Sequence, residues 1–91
     1  MNGVQAAVMQ TGRSLAVELA PRRVNVIAPG VVLTNVWSDE QREELRSWMT
    51  STLPTRVEGE PEHIAQAAVS LMTNPYITGV VLPVDGGLLL V

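Results

Sequence analysis

The sequence has no cysteine, no lysine and no phenylalanine, and other aromatic residues are scarce. Without cysteine the chain has no disulfide, no thiolate nucleophile and no cysteine-ligated zinc. Without lysine it has neither a Walker-type phosphate loop nor a lysine for a Schiff base or a proton relay. Its single histidine, His63, is too few for a His-Glu-x-x-His metal site. The sequence therefore predicts no metal site.

Charged residues are also few, and acidic residues outnumber basic ones. Six arginines stand against nine acidic residues, which gives a net charge of −3. Such a chain has no basic stripe to neutralise phosphates, so nucleic-acid binding is not expected. No apolar run approaches the roughly 20 residues that a membrane span needs. Because no signal-peptide pattern opens the chain, we expect a soluble, cytoplasmic protein that binds neither nucleic acid nor membrane.

Apolar residues nevertheless make up 46% of the 91 residues, enough for one small domain or part of one. The apolar spacing and the turn residues predict five elements. These are a helix over 4–20, a strand over 23–28, a helix over 39–50, a helix over 61–73 and a strand over 79–84.

The order helix, strand, helix, helix, strand indicates an α/β fold. Two strands joined by a helical crossover are parallel, with a right-handed connection. We therefore expect 23–28 and 80–84 to be adjacent parallel strands. The first is almost continuously apolar, as in a strand covered on both faces, while Pro83 marks the second as an edge strand. The chain is predicted to be a single partial domain, residues 1–91, from the back end of a larger doubly wound parallel sheet.

Two turns follow the predicted strands. Pro29-Gly30 ends the first and leads into an apolar loop, which indicates either the lining of a pocket or a plain strand-ending turn. After the second strand comes Asp85-Gly86-Gly87, where Asp85 is expected to accept hydrogen bonds from nearby backbone N–H groups. His63, in the first turn of a predicted helix, is expected to be exposed to solvent.

Several stretches with matching spacing resemble the short-chain dehydrogenase/reductase family over nearly the whole chain. They are Gln-Ala-Ala-Val (5–8), Arg-Ser-Leu-Ala-Val-Glu-Leu-Ala-Pro (13–21), Arg-Val-Asn-Val-Ile-Ala-Pro-Gly (23–30), Val-Val-Leu-Thr (31–34), Gly-Glu-Pro-Glu-His-Ile-Ala (59–65) and Ile-Thr-Gly-Val-Val-Leu-Pro-Val-Asp-Gly-Gly (77–87). The resemblance implies the C-terminal part of a Rossmann-like fold and an oxidoreductase that uses NAD or NADP on an alcohol or carbonyl.

The resemblance also implies which residues meet the cofactor. The turn and loop after the first strand approach the nicotinamide, which assigns cofactor binding to Pro29, Gly30, Val32 and Thr34. The family's glycine-rich phosphate turn has no counterpart, since no two glycines of this chain stand two apart.

The family's catalytic residues are likewise missing. The catalytic tyrosine aligns with Met1 and the lysine with Gln5, and the serine would precede residue 1. We therefore expect no catalytic residue in this chain and no dehydrogenase activity from the chain alone.

Residues 35–58 correspond to the region that varies with substrate in the family. They are predicted to form a mobile lid, with Trp37, Trp48 and Met49 lining a pocket for a small-molecule substrate. The alternative is ordinary core packing of a short amphipathic helix, because apolar residues at helical spacing usually serve that purpose.

The resemblance further implies a homo-oligomer through helix 4–20 and the C-terminal strand. The small residues on the helix, such as Ala7 and Gly12, would let another helix come close. A non-enzymatic remnant that acts as an oligomerisation or assembly partner stays open as an alternative, and so does a truncated or misassigned reading frame.

Overall fold

The computed structural model describes residues 3–91, and its elements follow the predicted order. The helix α1 spans Gly3–Glu18, the strand β1 Val26–Pro29, the helix α2 Asp39–Thr52, the helix α3 Pro61–Thr73 and the strand β2 Val81–Val84, before a 3-10 turn over Leu88–Leu90. Met1, which the resemblance aligns with the catalytic tyrosine, lies outside the described residues.

The two strands form a parallel pair, which confirms the predicted topology. Val26 lies opposite Val81 and Pro29 opposite Val84. A backbone hydrogen bond extends the ladder at each end: the Val26 N–H donates to the Val80 carbonyl at 2.9 Å, and the Gly30 N–H donates to the Val84 carbonyl at 3.0 Å. Among the described residues β2 has a strand on one side only, as expected for a strand that contains Pro83.

Both strands begin later than the sequence predicts, because side chains interrupt the backbone pairing before Val26. The Gly79 N–H still donates to the Val24 carbonyl at 2.8 Å, but the Val24 N–H donates to the Thr78 hydroxyl at 3.1 Å. The Asn25 amide donates to the Ile77 carbonyl and accepts the Val80 N–H, each at 3.1 Å. Gly79 has a φ of 73°, outside the extended conformation that a strand requires. The chain is thus held in register here without a continuous backbone ladder.

The strand β1 is less covered than its apolar sequence predicts. Val26, Ile27 and Ala28 are only half-buried, and Pro29 is exposed. Helix α1 contacts one end of this strand, where Gly12 packs against the Val26 side chain. The expectation of full coverage on both faces is therefore wrong for the described residues, since no residue of β1 is fully buried.

The core lies between α2 and the loop that follows β1. Leu33, Met49 and Leu53 are buried together, and Val31, Leu45 and Leu88 pack around them. Helix α2 begins at the predicted capping box: Ser38 Oγ accepts the Gln41 N–H at 3.2 Å, and Gln41 Oε1 accepts the Ser38 N–H at 2.9 Å. This cap fixes where the helix starts and hence which of its residues face the loop.

The described chain is more open than a self-contained domain of its size. Its accessible surface is 6299 Å², against about 5,200 Å² for a compact protein of this mass. Its radius of gyration is 15.1 Å, against about 12 Å for a compact chain of this length. Part of the excess is apolar surface on α1, where Val4, Val8 and Val17 are all exposed.

Arg23 ties the segment before β1 to the end of α3, a role that the sequence did not indicate. Its Nη1 donates to the carbonyls of Leu71 at 2.6 Å and Ile77 at 3.1 Å, and its Nη2 donates to that of Met72 at 2.7 Å. The last carbonyls of a helix have no partner within the helix, and a cation there also favours the helix dipole. Arg23 therefore caps α3 from 48 or more residues away.

Replacing Arg23 with methionine should lower the free energy of unfolding by about 2–3 kcal/mol, because hydrogen bonds from a charged donor are lost and carbonyls are left without partners. Arg22→Met is the matched control: it removes the same charge from an exposed neighbour. Urea denaturation followed by circular dichroism compares the two variants. Equal midpoints for both would show that the contacts of Arg23 do not stabilise α3.

Candidate functional site

A cavity of about 280 Å³ lies at the carboxyl ends of the two strands. Its walls come from the loop after β1, the segment after α2, the start of α3 and the turn after β2. The lining residues are Val31, Val32, Leu53, Thr55, Val57, Gly59, His63, Ile64, Val84, Asp85 and Gly86. Most of these side chains are apolar, and ligands of doubly wound sheets bind at this end of the strands.

Two glycines let backbone segments meet beside the cavity. A Cβ on Gly30 would lie 2.7 Å from the Cβ of Asp85 and 2.8 Å from its Cα. A Cβ on Gly59 would lie 2.6 Å from the Val31 carbonyl oxygen. Neither contact can be relieved by a side-chain rotation. The turn after β1 is therefore fixed between the turn after β2 and the segment that leads into α3.

The loop after β1 has several backbone donors without an acceptor. Within residues 3–91 the N–H groups of Val31, Val32 and Thr34 donate no hydrogen bond, and the Val32 carbonyl accepts the Trp37 Nε1–H at 3.3 Å. The next amide, that of Leu33, donates to the Gly59 carbonyl at 2.8 Å. Thr34 is half-buried, and its hydroxyl makes no hydrogen bond to a described residue. Val32 is half-buried and lines the cavity, so its N–H is available to a ligand carbonyl there.

The predicted cofactor residues thus fall at one end of the sheet. Pro29 and Gly30 form the turn at the end of β1, Val32 lines the cavity, and Thr34 follows two residues later. Pro29 itself is exposed. Binding of a cofactor by these four residues stays a prediction.

Asp85 has the predicted structural role in the turn after β2. Its Oδ1 accepts the Gly87 N–H at 2.9 Å. Gly86 and Gly87 have φ values of 65° and 90°, a left-handed conformation that favours glycine. The carboxylate therefore holds a turn that forms one wall of the cavity.

The three residues predicted to line a substrate pocket lie apart from this cavity. Met49 is completely buried in the core, where its sulfur accepts the Gly59 N–H at 3.2 Å. Trp37 and Trp48 are 37% and 36% exposed. None of the three is among the residues that line the cavity. Their assignment to a substrate pocket stays a prediction, as does the lid over residues 35–58.

His63 is half-buried and lines the cavity, so the expectation of a solvent-exposed side chain is wrong. Its Nδ1 accepts the Glu60 N–H at 3.0 Å, just before α3 begins. This bond places the proton of the neutral ring on Nε2. The acidic sequence around His63 suggested a solvated first turn, but it gave no sign that this turn packs beside the loop after β1.

Sequence reasoning also missed the wall that the segment after α2 provides. Thr55, Val57 and Gly59 lie in a polar stretch with no regular pattern, and only the close approach of Gly59 to Val31 brings the stretch to the cavity.

Over the described range, no group of three or more His, Cys, Asp or Glu residues could hold a metal ion. No helix in that range is long and apolar enough to cross a membrane.

Comparison with known proteins identifies the family. The model of a family described as enoyl-(acyl carrier protein) reductase matches residues 1–89. Carbonyl reductase family member 4 of Xenopus laevis is 48% identical over 78 residues, which are 84% of this chain and 31% of that protein. The 3-oxoacyl-[acyl-carrier-protein] reductase of Homo sapiens is 46% identical over 81 residues, 87% of this chain and 32% of that protein.

Solved structures give the same result. A small-chain dehydrogenase crystallised in complex with NADPH superposes with a TM-score of 0.83 at 40% identity, over 94% of this chain and 41% of that one. A short-chain type dehydrogenase/reductase from Mycobacterium ulcerans superposes with a TM-score of 0.77 at 34% identity, over 93% and 33%. The chain spans about a third of the length of the curated relatives it matches. It belongs to the short-chain dehydrogenase/reductase family of oxidoreductases and corresponds to a C-terminal segment of it.

Proposed function

We propose that this chain supplies the nicotinamide end of the dinucleotide site, together with the substrate lid, of an oxidoreductase. The whole enzyme would transfer a hydride between NAD(H) or NADP(H) and an alcohol or carbonyl compound. The observation that carries the proposal is the Val32 N–H, which has no acceptor in the described chain and lies beside a cavity at the carboxyl ends of the strands.

The residues of the turn and loop fit a nicotinamide. Gly30 packs tightly on Asp85, which holds the turn after β1, and the loop that follows it, beside the cavity. The Val32 N–H would donate to the carboxamide oxygen, and the Thr34 hydroxyl would hold the neighbouring part of the cofactor. When bound, the dinucleotide supplies or accepts the hydride. The related dehydrogenase crystallised with NADPH makes that form the first one to test.

Proton transfer needs groups from outside this chain. Gln5, at the position of the family's catalytic lysine, lies on the exposed part of α1 and cannot act as a proton relay. The chain would therefore act only beside a segment that carries the serine, tyrosine, lysine and phosphate turn.

Residues 35–58 would close over a small-molecule substrate, with Trp37 and Trp48 facing it. The human relative's name favours a 3-oxo compound as that substrate.

We further propose a cytoplasmic homo-oligomer. The contact surfaces would be helix 4–20 and the C-terminal strand. Support comes from the exposed apolar residues of α1, Val4, Val8 and Val17, and from Leu89 and Leu90 at the end of the chain. The absence of cysteine is compatible with a reducing compartment.

A composite protein tests the proposed activity. The human relative's sequence, up to the position that matches Gln5, is followed by residues 6–91 of this chain. We expect the composite to oxidise NADPH with ethyl acetoacetate, while the 91-residue chain shows no turnover. The chain alone lacks the general acid and base, which contribute about 10²–10⁴ in rate, and it lacks the phosphate turn. Absorbance of reduced nicotinamide measures both.

Thr34 provides the matched variants for the composite. Thr34→Val removes the hydroxyl at constant shape and should raise the KM for NADPH roughly threefold to tenfold, the effect of about one hydrogen bond. Thr34→Ser keeps the hydroxyl and should leave the KM near its original value. An active composite in which both variants behave alike would contradict the cofactor role of Thr34.

The second candidate function is that of a non-enzymatic assembly partner. An open groove of about 560 Å³ along α1, lined by Val4, Val8, Leu15, Val24 and Val26 among others, favours it, because such a groove suits another helix or strand. A composite that folds but neither binds NADPH nor turns over would favour this candidate over the oxidoreductase.

A further inference from the structure

We propose that His63 helps to determine which ligand the site accepts, by donating its Nε2–H to an uncharged carbonyl oxygen of the bound substrate or cofactor. The inference rests on the proposed function, since it assigns a further ligand contact within the same cavity. Three observations support it: the position of the residue in the cavity wall, the hydrogen bond that fixes its proton, and the charges around it. The family resemblance assigns no role to His63.

His63 lies in the first turn of α3, beside the loop that follows β1. The segment before α3 contacts that loop on both sides of Val32. A Cβ on Gly59 would lie 2.6 Å from the Val31 carbonyl oxygen, and the Gly59 carbonyl accepts the Leu33 N–H at 2.8 Å. Val32 and His63 therefore line the same cavity. A ligand that meets the Val32 N–H occupies the space that His63 borders.

One hydrogen bond fixes the tautomer of the His63 ring and restricts its rotation. The Glu60 N–H donates to Nδ1 at 3.0 Å, so Nδ1 provides the lone pair and the neutral ring carries its proton on Nε2. Nε2 itself has no hydrogen-bond partner within residues 3–91, and it is not shielded from solvent. His63 is thus a half-buried residue with an accessible donor.

The charges around the cavity favour an uncharged acceptor. Asp85 brings a carboxylate to the cavity wall, and no arginine is among the residues that line it. Glu60 and Glu62, which flank the start of α3, are exposed acids. A ligand carboxylate or phosphate would face these charges without a cationic side chain to offset them. A neutral Nε2–H therefore suits the oxygen of an amide, an ester or a ketone.

The helix cap alone leaves the Nε2 donor of His63 unexplained. His63 is the third residue of α3, where glutamate or glutamine can accept the same N–H from the residue before the helix. These two replacements differ in their other terminal atom. Glutamine keeps a donor there, whereas glutamate has a second acceptor. The pair therefore separates the cap, which both retain, from the donor, which only glutamine retains.

The composite protein tests the donor by steady-state kinetics in a mildly alkaline buffer, which keeps an imidazole neutral. KM values for NADPH and for ethyl acetoacetate are measured separately, because either the nicotinamide carboxamide or the substrate ester supplies the carbonyl. We expect His63→Glu to raise one of these KM values at least tenfold, since the ligand oxygen would lose a donor and face a carboxylate. A rise for NADPH assigns the contact to the cofactor, and a rise for the ester assigns it to the substrate.

His63→Gln should keep both KM values within threefold of the unchanged composite. Gln66→Glu is the matched control for charge, because it adds the same single negative charge at an exposed position of α3. It should leave both KM values within twofold. Urea denaturation is the second readout, and the two His63 variants should unfold at similar midpoints because both keep the cap.

The inference is overturned if His63→Glu changes neither KM, or if His63→Gln or Gln66→Glu raises a KM as much as His63→Glu does. These results require an active composite, so they would leave the proposed function standing. An inactive composite would instead overturn the proposed function, and this inference with it.

Discussion

Gly30→Ala should destabilise the composite protein by about 3 kcal/mol and raise its KM for NADPH. The added methyl group would lie 2.7–2.8 Å from the Cβ and Cα of Asp85, and at least one of these is backbone that cannot rotate away. Overpacking of this kind typically destabilises by about 1–3 kcal/mol, occasionally more. Moving the turn after β1 away from β2 would also move the Val32 N–H. Urea denaturation and steady-state kinetics measure the two effects.

Gly3 provides the control for the added methyl group. A Cβ at Gly3 has no atom within 4 Å, and the residue opens α1. Because residues 6–91 of this chain exclude Gly3, this variant is compared with Gly30→Ala in the 91-residue chain by circular dichroism. Gly3→Ala should be neutral or stabilising by up to about 1 kcal/mol, since alanine favours helix more than glycine does. If both alanines have the same effect, the packing of Gly30 on Asp85 does not constrain the turn.

Helix ends marked by proline or by a capping box could be predicted from the sequence. Pro61 and the Asn74-Pro75 pair bound α3, and the observed Pro61–Thr73 agrees with the predicted 61–73. The capping box at Ser38 fixes the start of α2 in the same way. Such signals act within one helical turn, so no knowledge of the rest of the fold is needed to apply them.

The strand boundaries and the links around them could not be predicted in that way. Asn25 and Arg23 bond to residues about 50 positions away, and nothing near them in the chain indicates those partners. A continuous apolar run predicts a strand, yet it cannot show where side-chain hydrogen bonds replace the backbone ladder. The free edge of β1 likewise depends on which chain lies beside it.

The same distinction applies to the candidate site: its strand-end turns could be predicted from the sequence, and its other walls could not. The Pro29-Gly30 turn and the Asp85 turn were visible as strand ends, and the parallel order of the strands places such ends together. The parts contributed by residues 53–59 and by His63 follow from tertiary packing of a stretch without periodicity. Roles for Val32 and Thr34 came from the family resemblance, whereas the unpaired Val32 N–H is a property of the folded loop.

The isolated 91-residue chain should be self-associated rather than monomeric. The exposed Val4, Val8 and Val17 on α1, the groove beside them and the free edge of β1 leave both apolar surface and unpaired backbone groups available. Full burial of one valine contributes about 1.5–3 kcal/mol, and a free strand edge is a template for another chain. Sedimentation velocity over a concentration series should therefore show dimers or larger species, read together with a thermal melt.

Charged substitutions locate the surface responsible. Val4→Glu combined with Val8→Glu should weaken self-association at least tenfold, because burying either carboxylate in the groove would require its desolvation. Val36→Glu is the matched control, since Val36 is 84% exposed but lies in the loop before α2, away from the groove. It should leave the association constant within twofold. A cooperative melt from a species that stays monomeric at high concentration would contradict the prediction, because the 91 residues would then bury their own core despite the open surface of α1.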